Sequence, residues 1–326
     1  MRAFAAMRDS VHRVEDGRHG TVLEGPDVEC LASVGDALLV GTLDDGLWRG
    51  ELSDGDGFER VDPGPMSERV TSVAADPHDP DVAWAGTEPS AVWRSEDGGR
   101  TWDEVSGLTD LPSEPEWSFP PRPHTHHARW LEPDPHDPTR LYVGVEAGAF
   151  VLAVAPDGWS ESVEWHERPP GSRRDNHTLA THPDAEGRVY SAAGDGYAES
   201  VDGGESWETL LDGLDHRYVW SLAVDPGDPE VRVVSAASGA MAAHRRGESY
   251  VYRKVGADPW ERVSDRLPTG DGVFRAVLAR GAEAGELAAV NNHGVYRSGD
   301  GGRTWTAAVE WPEGYTGEAP RGLVVR

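Results

Sequence analysis

Cysteine, lysine, net positive charge and long apolar runs are scarce or missing in this sequence. Cys30 is the sole cysteine, which rules out an intramolecular disulfide and removes any need for an oxidising compartment. Lys254 is the sole lysine, and 58 Asp and Glu residues face 30 Lys and Arg, for a net charge of −28. A field of that sign repels nucleic acid and anionic membrane, so neither is expected as a partner. No apolar run reaches the ~18 residues of a membrane span, and the opening MRAFAAMRDSVHRVEDG holds no signal-peptide core. The expectation is a cytoplasmic protein without membrane insertion.

What is present is repetition. Three octapeptides nearly coincide: SEDGGRTW (95–102), SVDGGESW (200–207) and SGDGGRTW (298–305). Each stands between two short alternating runs, a strand–turn–strand pattern. Asp97, Asp202 and Asp300 can cap the turn's own backbone amides, and the paired glycines supply positive φ. Trp102, Trp207 and Trp305 offer large apolar faces to neighbouring sheets.

The pattern S-x-D-x-G-x-[ST]-W resembles the Asp-box, or BNR repeat, of sialidases, sortilin-type receptors, xyloglucan hydrolases and photosystem assembly factors. That resemblance implies a β-propeller in which the box is a structural hairpin on the face opposite the ligand site. The acidic, lysine-poor composition likewise resembles that of salt-in halophile proteins, whose carboxylates hold hydration while salt screens their repulsion.

Apolar runs ending in turns recur seven times, beginning with ECLASVG (29–35) and VTSVAADPHDP (70–80). They continue with ARWLEPDPHDP (128–138), HTLATHPDAEG (177–187), WSLAVDPGDPE (220–230), RAVLARG (275–281) and RGLVVR (321–326). Nothing follows the seventh, whereas residues 2–24 precede the first. The expected architecture is therefore a single all-β domain over 1–326, a seven-bladed propeller of four-stranded blades. Blade 7 is shared between about 2–25 and 318–326 in a terminal "velcro" seam. Six blades plus an N-terminal appendage is the alternative. Three stretches read as degenerate boxes: SDGDGFERV (53–61), APDGWSESVEW (155–165) and HRRGESYVYRKV (244–255).

Aligning the seven runs on their turns puts Glu29, Thr71, Arg129, His177, Trp220, Arg275 and Arg321 at one position near the top face. Three are arginine, where composition predicts fewer than one. Convergent guanidinium groups suit a carboxylate, sulfate or phosphate. The expected ligand is thus an anionic small molecule or an acidic peptide or protein partner, held by Arg129, His177, Trp220, Arg275 and Arg321. His124, His127, His216, Asn292 and His293 stand beside them on entering loops, as do Glu146, Asp175 and Tyr218. Blade 2 contributes only TEPSA and SERV, so the site reads as lopsided.

PHTHHARW (123–130) also allows a transition metal on His124, His126 and His177, although no cofactor is required and no compact metal motif occurs. The proline-rich 106–124 reads either as a lid carrying Trp117 and Phe119 or as a wrap over blade edges. The sialidase resemblance implies a hydrolase or lyase alternative. In it the arginines clamp a carboxylate, and His126, His177, Tyr315 and Glu318 are the catalytic candidates; the F/Y-R-x-P motif of that family is missing.

Overall fold

Short alternating apolar runs cut by Asp-Pro and Gly-Gly turns favour antiparallel strands connected by hairpins. The computed structural model describes residues 1–52, 57–62 and 64–326, and their strands form seven antiparallel sheets. Six sheets have four strands and one gains a short fifth. Blades 1 to 7 begin with inner strands Val28–Val34, Val70–Ala75, Ala128–Pro133, Asn176–Thr181, Tyr218–Asp225, Val277–Arg280 and Gly322–Val325. This is the expected seven-bladed β-propeller.

The six-blade alternative fails at the seam. Arg2–Ala6, Ser10–Glu15 and Arg18–Glu24 are not an appendage but the outer strands of the sheet started by Gly322–Val325. Ala3 pairs with Val325 and Ala6 with Gly322, and Arg2 and Arg326 exchange backbone hydrogen bonds of 3.2 and 2.8 Å.

Among the described residues one apolar cluster fills each of the seven interfaces between blades, and an eighth, Tyr218, Trp220, Ala237 and Ala243, lies within blade 5. The cluster between blades 1 and 2 joins Leu39 and Leu47 to Trp93 and Trp102, and the one between blades 5 and 6 joins Val233 and Val251 to Leu287 and Trp305. The seam is packed in the same way: Ala288 and Val290 meet Ala3 and Val14, while Phe4 and Ala6 meet Leu38 and Val40. The ring is closed by the same apolar burial that joins its other blades.

The three octapeptides belong to blades 2, 4 and 6 and share one hydrogen-bond set. Asp97 Oδ1 accepts the amides of Arg100 and Thr101 at 2.8 and 2.9 Å and the Ser95 hydroxyl at 2.8 Å, a pattern that Asp202 and Asp300 reproduce. Gly98 and Gly99, at φ 72° and 85°, make the turn that brings those amides round. An arginine of the preceding blade then grips each turn: Arg49 donates to Gly98 O at 2.9 Å, Arg140 to Gly203 O at 3.3 Å and Arg253 to Gly301 O at 2.7 Å. Intact turns therefore alternate with the blades that hold them.

Of the three degenerate boxes, APDGWSESVEW does connect strands Ala149–Val154 and Glu164–Glu167. SDGDGFERV lies partly outside the described residues; its end forms strand Phe58–Arg60. HRRGESYVYRKV is a correction. Residues Ala242–Arg246 form a single π turn between the second and third strands of blade 5, and Glu248–Val255 is the third strand itself. His244 is thereby carried to the face opposite the octapeptides.

Candidate functional site

In blades 1 to 5 the pairing of the first two strands skips one residue near the start of the inner strand. The skipped residues are Glu29, Thr71, Arg129, His177 and Trp220. A bulge of this kind frees a side chain from the ladder and re-aims it. Arg275 and Arg321 precede the strands of blades 6 and 7, and Arg275 adopts φ 21°, a strained value for a non-glycine residue.

Glu29, Thr71, Arg129, Trp220 and Arg321 line a narrow cavity of about 70 Å³ at the channel mouth. Below it the channel widens to about 420 Å³ between aliphatic walls and opens at Pro77, Pro135, Glu132 and Arg280. Thr71 is taken up structurally, donating to Ala128 O at 2.8 Å.

The ring's charges divide unequally. Glu29 accepts from Arg129 Nη1 at 2.9 Å through one oxygen and from Arg321 Nη1 at 3.0 Å through the other. Two of the three arginines expected to hold a ligand are thus already paired. The Nε of all three arginines is buried without an acceptor, but Arg275 is different in having, among the described residues, neither a carboxylate partner nor any side-chain hydrogen bond. Its guanidinium lies over Trp220, 4.4 Å from the ring centroid, and Arg129 covers the same indole at 4.9 Å. Burial, then the nearby Arg321 charge, push its pKa down to about 9; the group remains a cation at neutral pH.

Around this pair the walls are aromatic and acidic. His177, Tyr218 and His244 approach Trp220 or one another at 4.7 to 5.6 Å, and Tyr218 Oη and His244 Nε2 share a hydrogen bond of 2.7 Å. Burial and the Arg275 charge lower the His244 pKa to about 3, so it stands neutral. Glu146 is opposed by burial, but the 3.0 Å hydrogen bond from His127, with His177 and Arg129 nearby, holds its carboxyl below the usual range. Burial and the neighbouring Glu146 raise the Asp175 carboxyl, against the pull of His177.

Several residues expected at the site are placed elsewhere. His124 is exposed, and His126 binds Glu114 at 3.1 Å and packs on Trp117, so the metal set His124, His126, His177 is not assembled. His177 instead faces Glu146 and Asp175. Tyr315 is tied to His12 at 3.1 Å and packs on Trp311, while Glu318 lies near Asp9 and Arg8; neither contacts the ring arginines. His216 stacks on Tyr250 at 4.0 Å. The Asn292 side-chain amide accepts from the Phe274 amide and donates to the carbonyls of Gly272 and Thr316, and His293 is exposed. The loop 106–124 is a wrap: Leu108, Leu111 and Trp117 enter the apolar cluster between blades 2 and 3, and Arg122 forks onto Glu88.

Glu88 is the residue the sequence reading passed over. It is buried at the mouth, holds Arg122 and lies 3.9 Å from His127 Nδ1. The signal was present, since Gly86-Thr87-Glu88 in blade 2 stands in the same register as Gly144-Val145-Glu146 in blade 3. His244 was missed because its segment was assigned to the wrong turn.

No protein-family model matches the sequence, and no curated protein matches it. Solved structures match the fold. An ancestral GH74 enzyme is similar with a TM-score of 0.67 at 14% identity, over 88% of this chain and 39% of that one. YCF48 from Cyanidioschyzon merolae is similar at 0.56 and 13% identity, over 87% and 84% of the two chains. YCF48 bound to D1 peptide gives 0.58 and 14%, over 86% and 81%. This chain spans well under half of the GH74 enzyme, and at such identities the likeness is one of fold alone, a β-propeller.

Proposed function

We propose that this propeller is a binding module that takes an anionic group, the carboxylate of an acidic peptide terminus or of a small molecule, at the top-face channel mouth. Arg275 carries the reading. In a chain of net charge −28, a buried guanidinium without a carboxylate partner, held on Trp220 at a strained φ, is maintained at a cost to stability that a bound anion would offset. Arg129 and Arg321 share Glu29 and are approached at 3.7 and 3.8 Å by Glu146 and Asp27, so Arg275 is the ring cation left for one anionic group. The octapeptide turns on the opposite face fit the BNR-like reading in which boxes are structural. A YCF48 neighbour binds a D1 peptide, which supports a peptide as the ligand class.

The test is calorimetric titration with short acidic peptides having free or amidated C-termini, alongside capture of partners from native extract. Free-terminus peptides should bind, amidated ones should bind at least tenfold more weakly, and Arg275→Met should abolish the difference. Equal binding by Arg275→Met and the unaltered protein would refute the proposal.

A further inference from the structure

The deepest unsatisfied group at the mouth is not an arginine but the Nε2 of His177. Its side chain is 0% exposed, and Nε2 has no hydrogen-bond partner. Nδ1 lies 2.7 Å from Val219 O, and since a carbonyl only accepts, the ring proton sits on Nδ1. In the neutral ring the Nε2 lone pair faces two carboxylate oxygens, Glu146 Oε1 at 3.9 Å and Asp175 Oδ2 at 3.8 Å; in the imidazolium an N–H faces them, which a metal ion would displace.

These separations are too long for hydrogen bonds, and all three ligand atoms lie within 4.8 Å of one another. With the imidazole neutral, three electron-pair donors face one another here.

Each donor is also pinned from behind. His127 Nε2 donates to Glu146 Oε2 at 3.0 Å, which leaves Oε1 for the centre. The Ala147 amide donates to Asp175 Oδ1 at 2.9 Å, which leaves Oδ2. Ala147 holds that amide in place at φ 53°, a left-handed conformation that alanine rarely adopts. Gly194 makes room for Asp175, since a Cβ there would fall 1.9 Å from Oδ2. An imidazole whose far nitrogen donates to a carbonyl, with carboxylates whose second oxygens are themselves hydrogen-bonded, is the outer support that metal ligands need.

We infer that His177 Nε2, Glu146 Oε1 and Asp175 Oδ2 form a site for a divalent transition metal, of the class of Zn²⁺, Co²⁺ or Mn²⁺. One nitrogen and two oxygens suit these borderline ions. Metal–ligand bonds of about 2.0–2.2 Å place donors ~3.0–3.6 Å apart, so the two His177–carboxylate gaps need to close by a few tenths of an ångström and the gap between the carboxylate oxygens by about 1 Å at most. The two carboxylates balance the ion's charge, and Glu29 already offsets the adjacent Arg129. Three protein ligands leave at least one coordination position for water or an exogenous ligand.

The inference does not rest on anion binding by Arg275, and the experiment keeps the two apart. Protein stripped with chelator and desalted is titrated with Co²⁺ and then Zn²⁺, in competition with a chromophoric chelator that suppresses weak binding by surface carboxylates. One equivalent should bind and produce visible Co²⁺ absorption that Zn²⁺ abolishes. Glu146→Gln and His177→Gln should each lower affinity at least ~100-fold, and His127→Gln about tenfold through its support of Glu146. Arg275→Met should retain the full equivalent. Absence of a competing equivalent in the unaltered protein, or an unchanged one in both Gln variants, would overturn the site. Should those variants fail to fold, X-ray absorption of the Zn²⁺-loaded protein decides: one imidazole with an otherwise oxygen shell supports the site, and a shell without imidazole refutes it.

Discussion

The guanidinium of Arg275 rests on the indole of Trp220 at 4.4 Å and has no anionic partner among the described residues. The rest of the mouth is arranged around that unmatched charge.

Replacing Arg275 with Met should make the protein more stable while removing anion binding. Burial holds this pKa down at about 9, so the native state disfavours the cation relative to the unfolded chain. That cost is present in full below about pH 9 and fades as pH rises from there towards the ordinary guanidinium value. Urea denaturation at pH 7 should show a gain of about 1–2 kcal/mol, shrinking at higher pH. A loss of stability would mean that the cation is satisfied in a way the structure does not reveal.

Glu29→Gln should have the opposite effect. It strips the shared partner from Arg129 and Arg321, leaving three cations at one mouth. Stability should fall by about 1–3 kcal/mol, as for a partly buried pair broken on one side, while affinity for carboxylate peptides rises. Denaturation and calorimetry on the same sample measure both.

The octapeptide aspartates set the acid limb of stability. Asp97 is opposed by burial, but hydrogen bonds from Thr101, Ser95 and Arg100 bring its pKa down to about 2, and Asp202 and Asp300 are lowered in the same way. Their contribution is complete above the unfolded aspartate value near 4 and is lost as pH falls towards 2. Each Asp→Ala change should cost about 1 kcal/mol at pH 6, as for other side-chain caps of backbone amides, and the triple variant should show a flatter melting-temperature profile between pH 4 and pH 2.

Two histidines act in a higher window. Burial lowers His12 to about 4, aided by His19, and His244 to about 3, aided by Arg275. Both stay neutral in the native state while the unfolded chain takes up protons below about pH 6.5. Stability should therefore decline from about pH 6.5 downwards, by about 2 kcal/mol per histidine at pH 5. Nuclear magnetic resonance should find neither imidazole titrating between pH 8 and pH 5; an ordinary midpoint at either would contradict the structure.

Blade number, seam and ring were legible because they rest on local chemistry. The Gly-Gly turns around Asp97, Asp202 and Asp300 announce hairpins, and the turns that end the inner strands mark a common register. Residues 2–24 had only one strand to join. Pairing between side chains was not legible: Glu29 touches Arg129 and Arg321 across 100 and 292 positions of chain, and no periodicity records such a contact. The histidines of PHTHHARW separated for the same reason. His127 turns inward to Glu146, His126 towards Glu114 and His124 to solvent, because the wrap that precedes them packs its own side chains between blades.

The skipped residue at the head of each of the first five inner strands bears on how such a molecule changes over generations. Glu29, Thr71, Arg129, His177 and Trp220 stand outside the register that aligns their sheets, so exchanging one of them leaves strand pairing intact. The identity of these side chains is in this way uncoupled from strand pairing within each sheet, although Thr71 and His177 also reach a carbonyl of the next blade. A lineage can change the mouth's side chains one blade at a time without rebuilding the wheel.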